Sequence, residues 1–243
     1  MRIITALLVL VFSVLAQAEG LTKQSFKEGE HYVRLATPVK TADPNKIEVT
    51  EFFWYGCGHC YNFEPLLQKW LTNLPEEIGF TESPVMWQKN METHARIFYT
   101  SKVLGVLDVM HRAVFDAMHI KQMKLERPKQ IQTLYEQNGV SGSDFEKAFN
   151  SFSVESAVKQ ANARARNYGI TGTPEIVVDG TYRVSGSMAG SQTNMLAVAE
   201  YLACKIYAEK PVAQSAPATE TESVAADADK PNPMASFCDR YAI

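Results

Sequence analysis

Two cysteines stand three residues apart in the stretch EFFWYGCGHCYNFEP, Glu51 to Pro65, directly behind a run of aromatics. Cys57 and Cys60 at that spacing suit three kinds of chemistry: metal ligation, a structural crosslink, or thiol–disulfide exchange. A structural zinc takes four ligands, commonly a second C-x-x-C or a histidine pair at a set distance. Here Cys204 and Cys238 are single and far away, no histidine pair follows, and His59 between the cysteines is badly placed to join them on one tetrahedral ion. No metal ligand set is expected. A Cys57–Cys60 bridge closes too small a loop to restrict the unfolded chain much, so a purely structural crosslink is also a poor fit.

Exchange chemistry has a mechanism. If a strand ends near Tyr55 and a helix begins at Gly58, Cys57 falls at the helix N-cap. Free amides of the first turn then face its sulfur, and the helix dipole adds positive potential. A protonated His59 contributes further. All three favour thiolate over thiol and lower the Cys57 pKa. Cys60, one turn in, lacks those donors and keeps a higher pKa. Cys57 is thereby the attacking and leaving sulfur, and Cys60 resolves the mixed disulfide.

The elements that must position this pair follow from the pattern around it. Residues 46–55 are rich in β-branched and aromatic side chains and predict a buried strand. A helix is expected over 61–71, with Pro65 a kink point, and a weaker strand over 80–87. Val106, Met110, Val114 and Ala117 share one helical face, as do Val154, Val158, Ala161, Ala165 and Tyr168. Residues 175–178 and 181–184 read as two strands joined at Asp179-Gly180, before a last helix over about 192–207. The order is α/β: a βαβ half and a ββα half flanking an all-helical insertion of about 70 residues.

The ends carry other signals. Residues 1–18 have Arg2, an apolar run from Ile3 to Leu15 broken by Thr5 and Ser13, and the small-x-small triplet Ala16-Gln17-Ala18. This is the pattern of an export signal cleaved after Ala18; its apolar run is shorter than the ~20 residues a bilayer needs. Export places all four cysteines where disulfides form, in a chain long enough to bury a core without them. The net charge of −3 becomes −4 without Arg2, and five acids against two bases beyond Pro211 account for most of it. A near-neutral folded part points neither to nucleic acid nor to an anionic membrane surface. From Pro211 the chain is Ala, Pro, Ser, Thr and acid, a linker composition, ending in MASFCDRYAI.

The chain resembles the DsbA family of periplasmic thiol:disulfide oxidoreductases over nearly all of residues 26–207. The agreement rests on EFFWYGCGHCYNFEP, on FNSFSVESAVKQANARARNYGITGTP, and on EIVVDGTYRV. The resemblance implies a thioredoxin fold with an inserted all-helical domain. The expected divisions are a signal peptide (1–18), a thioredoxin-like part (26–87), the helical insertion (88–160), the second thioredoxin-like part (161–210) and a flexible acidic tail with a cysteine-containing patch (211–243). It implies a periplasmic dithiol oxidase, monomeric, needing no cofactor beyond the Cys57–Cys60 disulfide. Its partners would be unfolded exported proteins with reduced cysteines and a quinone-linked membrane oxidase resembling DsbB. A disulfide isomerase or reductase using the same site is the alternative.

Family membership would also give roles to Thr173-Pro174, as the cis-proline loop that pairs with bound substrate, and to Glu51, as the acid beneath the cysteines. Strand alternation independently puts Glu51 in a row with Ile47, Val49 and Phe53, where an acid is costly without a task. Proton relay to Cys60 is one reading, escape to solvent at the strand end the other. Two residues depart from the best-known members. Gly58 stands where those have proline, and Gly58-His59 is the dipeptide of protein disulfide isomerases. A potential between the family values of about −120 mV for DsbA and about −180 mV for the isomerases is therefore expected. Glu175 adds an acid after the cis-proline that either opposes thiolate formation or points away.

His94, His111 and His119 lack metal spacing among themselves and read as surface or satisfied core histidines. Trp54 or Tyr55 would line an apolar client groove. On the last helix Met195, Val198, Leu202 and Ile206 form the expected buried face, which leaves Cys204 accessible. Cys204 and Cys238 then form a tether, remain free, or bond between molecules.

Overall fold

The computed structural model describes residues 23–209 and 232–243. The expected signal peptide and most of the expected tail lie outside the described residues. Strands β1 (Val33–Arg34), β2 (Ile47–Phe53), β3 (Ile78–Pro84), β4 (Glu175–Val178) and β5 (Tyr182–Ser185) form one sheet in the order β1-β5-β4-β2-β3. β2 runs parallel to β3 and antiparallel to β4, which pairs antiparallel with β5. β2 therefore has a strand on each side, and six of its seven residues are buried. Both of its faces are covered, so even its polar Thr50 and Glu51 are buried.

Helix α1 (Gly58–Leu71) follows β2 directly. Between β3 and β4 lie α2 (Lys89–Val103), α3 (Leu107–His119), α4 (Pro128–Gln137), α5 (Gly142–Phe149) and α6 (Phe152–Asn167). α6 continues past residue 160, so the boundary expected there falls inside a helix. After β5 come α7 (Gly186–Ala189) and α8 (Gln192–Glu209), and the chain ends with α9 (Pro233–Cys238). The predicted strands and helices are present within a few residues. The two-residue β1, the one-turn α7 and the terminal α9 carry too little periodicity to be read from sequence. No helix among the described residues is long and apolar enough to cross a membrane.

The even and odd residues of β2 feed different cores. Ile47 and Val49 pack with Phe63, Leu67, Val198 and Leu202, while Phe52 packs on the opposite face with Tyr168 and Val177. Phe53 reaches the core of the helical insertion, among Phe98, Met110 and Phe115. Glu51 thus sits in an odd row that passes from one core to the next.

The carboxyl-terminal segment corrects two expectations. Residues 232–243 are folded rather than tail: α9 buries Met234 and Phe237, and Tyr241 is buried too. Glu200 on α8 receives the Trp70 indole N–H at 2.8 Å, ion-pairs with Arg240 at 3.2 Å, and accepts from the Tyr241 hydroxyl. Cys204, expected to be accessible, is 1% exposed and bonded to Cys238. The helical-wheel argument assumes one buried face. Met195, Val198, Leu202 and Ile206 are indeed buried, but the terminal segment covers a second face of α8.

Of the three states open to these cysteines, the structure has the intramolecular bridge, across a separation of 34 residues. Replacing both with alanine is expected to lower stability by about 2–4 kcal/mol in equilibrium denaturation. Peptide mapping without reductant should recover Cys204 joined to Cys238, and an alkylated Cys238 would contradict this.

Candidate active site

Cys57 stands at the N-cap of α1, with extended backbone (φ −86°, ψ 115°). Its carbonyl accepts the first helical bond from Tyr61 N–H at 3.0 Å, and its sulfur accepts from Cys60 N–H at 3.4 Å. A tight turn delivers it there, closed by Cys57 N–H to the Trp54 carbonyl at 2.9 Å. Gly56 lets that turn form, since a β-carbon would collide with the Trp54 indole. The indole N–H in turn donates to His94 Nδ1 at 2.9 Å, so the turn is held against the helical insertion.

Both cysteines are thiols in this structure. Cys57 is partly exposed and Cys60 buried. The Cys57 pKa is lowered to about 5, first by a hydrogen bond from the Cys60 thiol, then by the Thr173 side chain and the backbone amides of Cys60 and His59, which together outweigh burial. Burial pushes the Cys60 thiol well up, and its bond to Cys57 and the charge of Glu51 push the same way. The two sulfurs are thus separated in the direction the spacing implies. His59 is exposed, and its backbone amide is among the groups that lower the Cys57 pKa. Its carbonyl accepts from Gln192 at 2.6 Å, which pins the loop between the cysteines to α8. Gly58, where the best-known members have proline, is the first residue of the helix and is exposed.

The Thr173-Pro174 bond is cis, and the Cys57 thiol donates to the Thr173 carbonyl at 3.4 Å. A groove of about 490 Å³ lies alongside, lined by His59, Thr173, Pro174, Arg183, Gln192 and Glu175. The Glu175 carboxylate turns to Arg183 at 3.6 Å and to the Thr171 hydroxyl at 3.4 Å. Burial raises its pKa despite Arg183.

Glu51 is 2% exposed, so escape to solvent does not occur. Burial holds its carboxyl well above the ordinary range, and the charges of Glu82, Glu64 and Cys57 add to this. Both effects favour the protonated form of the Glu51 carboxyl over the charged one.

Sequence reasoning missed Glu64, Glu82 and Gln192. Glu64 falls on the buried face of α1, one turn after Cys60, a signal that helical spacing does offer. Glu82 and Gln192 carry no such signal. Among the histidines, His94 is a satisfied core residue, its Nε2 meeting the Lys124 carbonyl at 2.9 Å, and His119 is half-buried with its Nε2 2.7 Å from the Tyr55 carbonyl. Tyr55, proposed for a client groove, is fully buried with its hydroxyl 2.9 Å from His111 Nδ1, and only Trp54 stays partly exposed.

The DSBA-like thioredoxin domain family matches residues 71–196. A thiol:disulfide interchange protein DsbA of Azotobacter vinelandii is 40% identical over 192 residues, covering 79% of this chain and 90% of that protein. The protein of the same name from Pseudomonas aeruginosa is 37% identical over 202 residues, 82% of this chain and 93% of its own. The crystal structure of Pseudomonas aeruginosa DsbA superposes with a TM-score of 0.73 at 36% identity, covering 76% of this chain and 96% of that one. The oxidoreductase DsbA of Xylella fastidiosa gives 0.71 at 32% identity, over 75% and 98%.

Titrating the thiolate absorbance of the reduced protein should give a midpoint near pH 5, absent from Cys57→Ser. The folded-state pKa lies below the unfolded value of about 8.5, so the thiolate stabilises the reduced fold fully above that value. The contribution is lost as pH falls towards 5. The stability difference between reduced wild type and reduced Cys57→Ser should therefore shrink over that interval.

Proposed function

The chain belongs to the DsbA family of thiol:disulfide oxidoreductases, and on that premise we propose that Cys57-Gly58-His59-Cys60 is the centre that introduces disulfides into exported proteins in the periplasm. The observation that carries this reading is the capping of the Cys57 sulfur by the first turn of α1. An N-cap donor stabilises a thiolate, and stabilising the reduced form makes the disulfide a stronger oxidant.

The reaction runs in two exchanges. A client thiolate attacks Cys57 Sγ of the oxidised pair; the client–Cys57 bond forms, the Cys57–Cys60 bond breaks, and Cys60 leaves with the electron pair. Cys60 has a raised pKa and takes a proton, for which Glu51 is the nearby relay. A second client thiolate then attacks the client sulfur of the mixed disulfide. The client disulfide forms, and Cys57 leaves as a thiolate held by the Cys60 amide. The enzyme ends as the dithiol, two electrons richer. A quinone-linked membrane oxidase of the DsbB kind restores the disulfide, and no bound cofactor is needed.

Thr173 and Pro174 form one wall of the groove beside Cys57, where an extended client segment has backbone partners within reach. Gly58 supports a second reading as isomerase or reductase, because it removes the proline of the stronger oxidants. Oxidative refolding of a reduced client should be catalysed by wild type and abolished by Cys57→Ser. Equilibration with glutathione should give a potential between about −120 and about −180 mV; a value below thioredoxin's, about −270 mV, would reject the oxidase. Glu51→Gln is expected to slow exchange by about 100-fold or more while leaving the Cys57 midpoint nearly in place.

A further inference from the structure

Between the sheet and the helical insertion lies a cluster that the exchange reaction does not use. Glu64 of α1, Glu82 of β3 and His111 of α3 each bring one donor atom to a common point, all within 4.8 Å of one another. His111 Nε2 is 3.2 Å from Glu82 Oε1 and 3.4 Å from Glu64 Oε2. His111 is only 6% exposed, yet no hydrogen bond reaches its Nε2 or Glu82 Oε1. A proton on Nε2 points along the ring axis, and neither carboxylate lies where it accepts that proton well. A larger cation between the three groups meets all of them. We propose that Glu64, Glu82 and His111 bind one divalent cation of the zinc type.

The geometry fits that ion. Ligands about 2.0–2.1 Å from a tetrahedral centre stand about 3.3–3.4 Å apart, which is the spacing of His111 Nε2 from the two carboxylates. The donors are already oriented from behind. Tyr55 Oη, 2.9 Å from His111 Nδ1, accepts the proton that ring nitrogen carries when Nε2 ligates a metal. Gln68 donates to Glu64 Oε1 at 2.8 Å, which leaves Oε2 turned to the site. Two carboxylates and a neutral imidazole balance a doubly charged ion. One nitrogen with two oxygens suits zinc, whereas calcium and magnesium favour six or more oxygens and copper(I) favours sulfur.

A cavity of about 440 Å³ lined by the three residues with Pro65, Asp108 and Arg112 opens onto the cluster and has room for water as the fourth ligand. Asp108 adds an acid at its wall. Arg112, the opposing charge there, is engaged by Asp116 at 2.9 Å. The three ligands come from α1, β3 and α3, so a bound ion would fasten the insertion to the sheet.

The test uses the untagged protein with Cys57 and Cys60 oxidised, so that no thiol competes for metal. Zn²⁺ is titrated by calorimetry, and Co²⁺ serves as the probe of tetrahedral geometry by its visible absorption. The expected result is one Zn²⁺ per chain, a raised thermal midpoint, and affinity at least about tenfold weaker in both Glu82→Gln and His111→Asn. Absence of saturable Zn²⁺ binding by the oxidised wild type overturns the proposal, and so does wild-type affinity in Glu82→Gln. If His111→Asn does not fold, the charge-removing, nearly isosteric Glu82→Gln decides alone.

Discussion

The hydrogen bond from the Cys60 amide to the Cys57 sulfur is the interaction on which the rest of the structure depends. A helix leaves its first amides without partners, and here the cap that satisfies one of them is the reactive atom itself. Protonating the sulfur weakens that bond, and ionising it strengthens it, so capping and redox chemistry are one interaction. Everything nearby serves to keep Cys57 at that position. Gly56 permits the turn, Trp54 locks it to His94, Gln192 holds the His59 carbonyl, and the Thr173-Pro174 loop closes the other side.

Beneath this lies a second constraint, the burial of acids. Glu51, Glu64 and Glu82 share one low-dielectric region with the His111 imidazole, and after burial itself the charges of Glu82 and Glu64 add to the upward shift of the Glu51 pKa. Buried carboxylates of this kind are expensive and persist only with protons, partners or cations to balance them. Glu51 belongs with the cysteine pair. Glu64, Glu82 and His111 face one another a few ångströms away and form a separate set of ligands.

The carboxyl-terminal clasp shows a different economy. Glu200 is a buried acid with three donors from two distant parts of the chain, Trp70 on α1 and Arg240 and Tyr241 at the carboxyl end, and near it Cys204 and Cys238 join. Covering the second face of α8 buries half of its residues, Glu200 and Cys204 among them, beyond the row of Met195, Val198, Leu202 and Ile206.

The sequence by itself determined whatever depends on neighbours along the chain. Periodicity reports which face of an element is apolar, and capping is local, so the strands, the long helices and the placement of Cys57 ahead of Cys60 were legible from Lys46 to Pro65 and beyond. The family motif pointed to Thr173-Pro174, and strand alternation placed Glu51 in an apolar row. Only the tertiary structure decided what comes together across the chain. Cys204 is buried because a segment more than twenty residues further on folds against it, and no helical wheel contains that segment. Glu64, Glu82 and His111 converge from a helix, a strand and the insertion, at separations in sequence that match no motif. Local pattern fixes the orientation of each side chain within its own element; the distance between elements is set by packing, which no short stretch encodes.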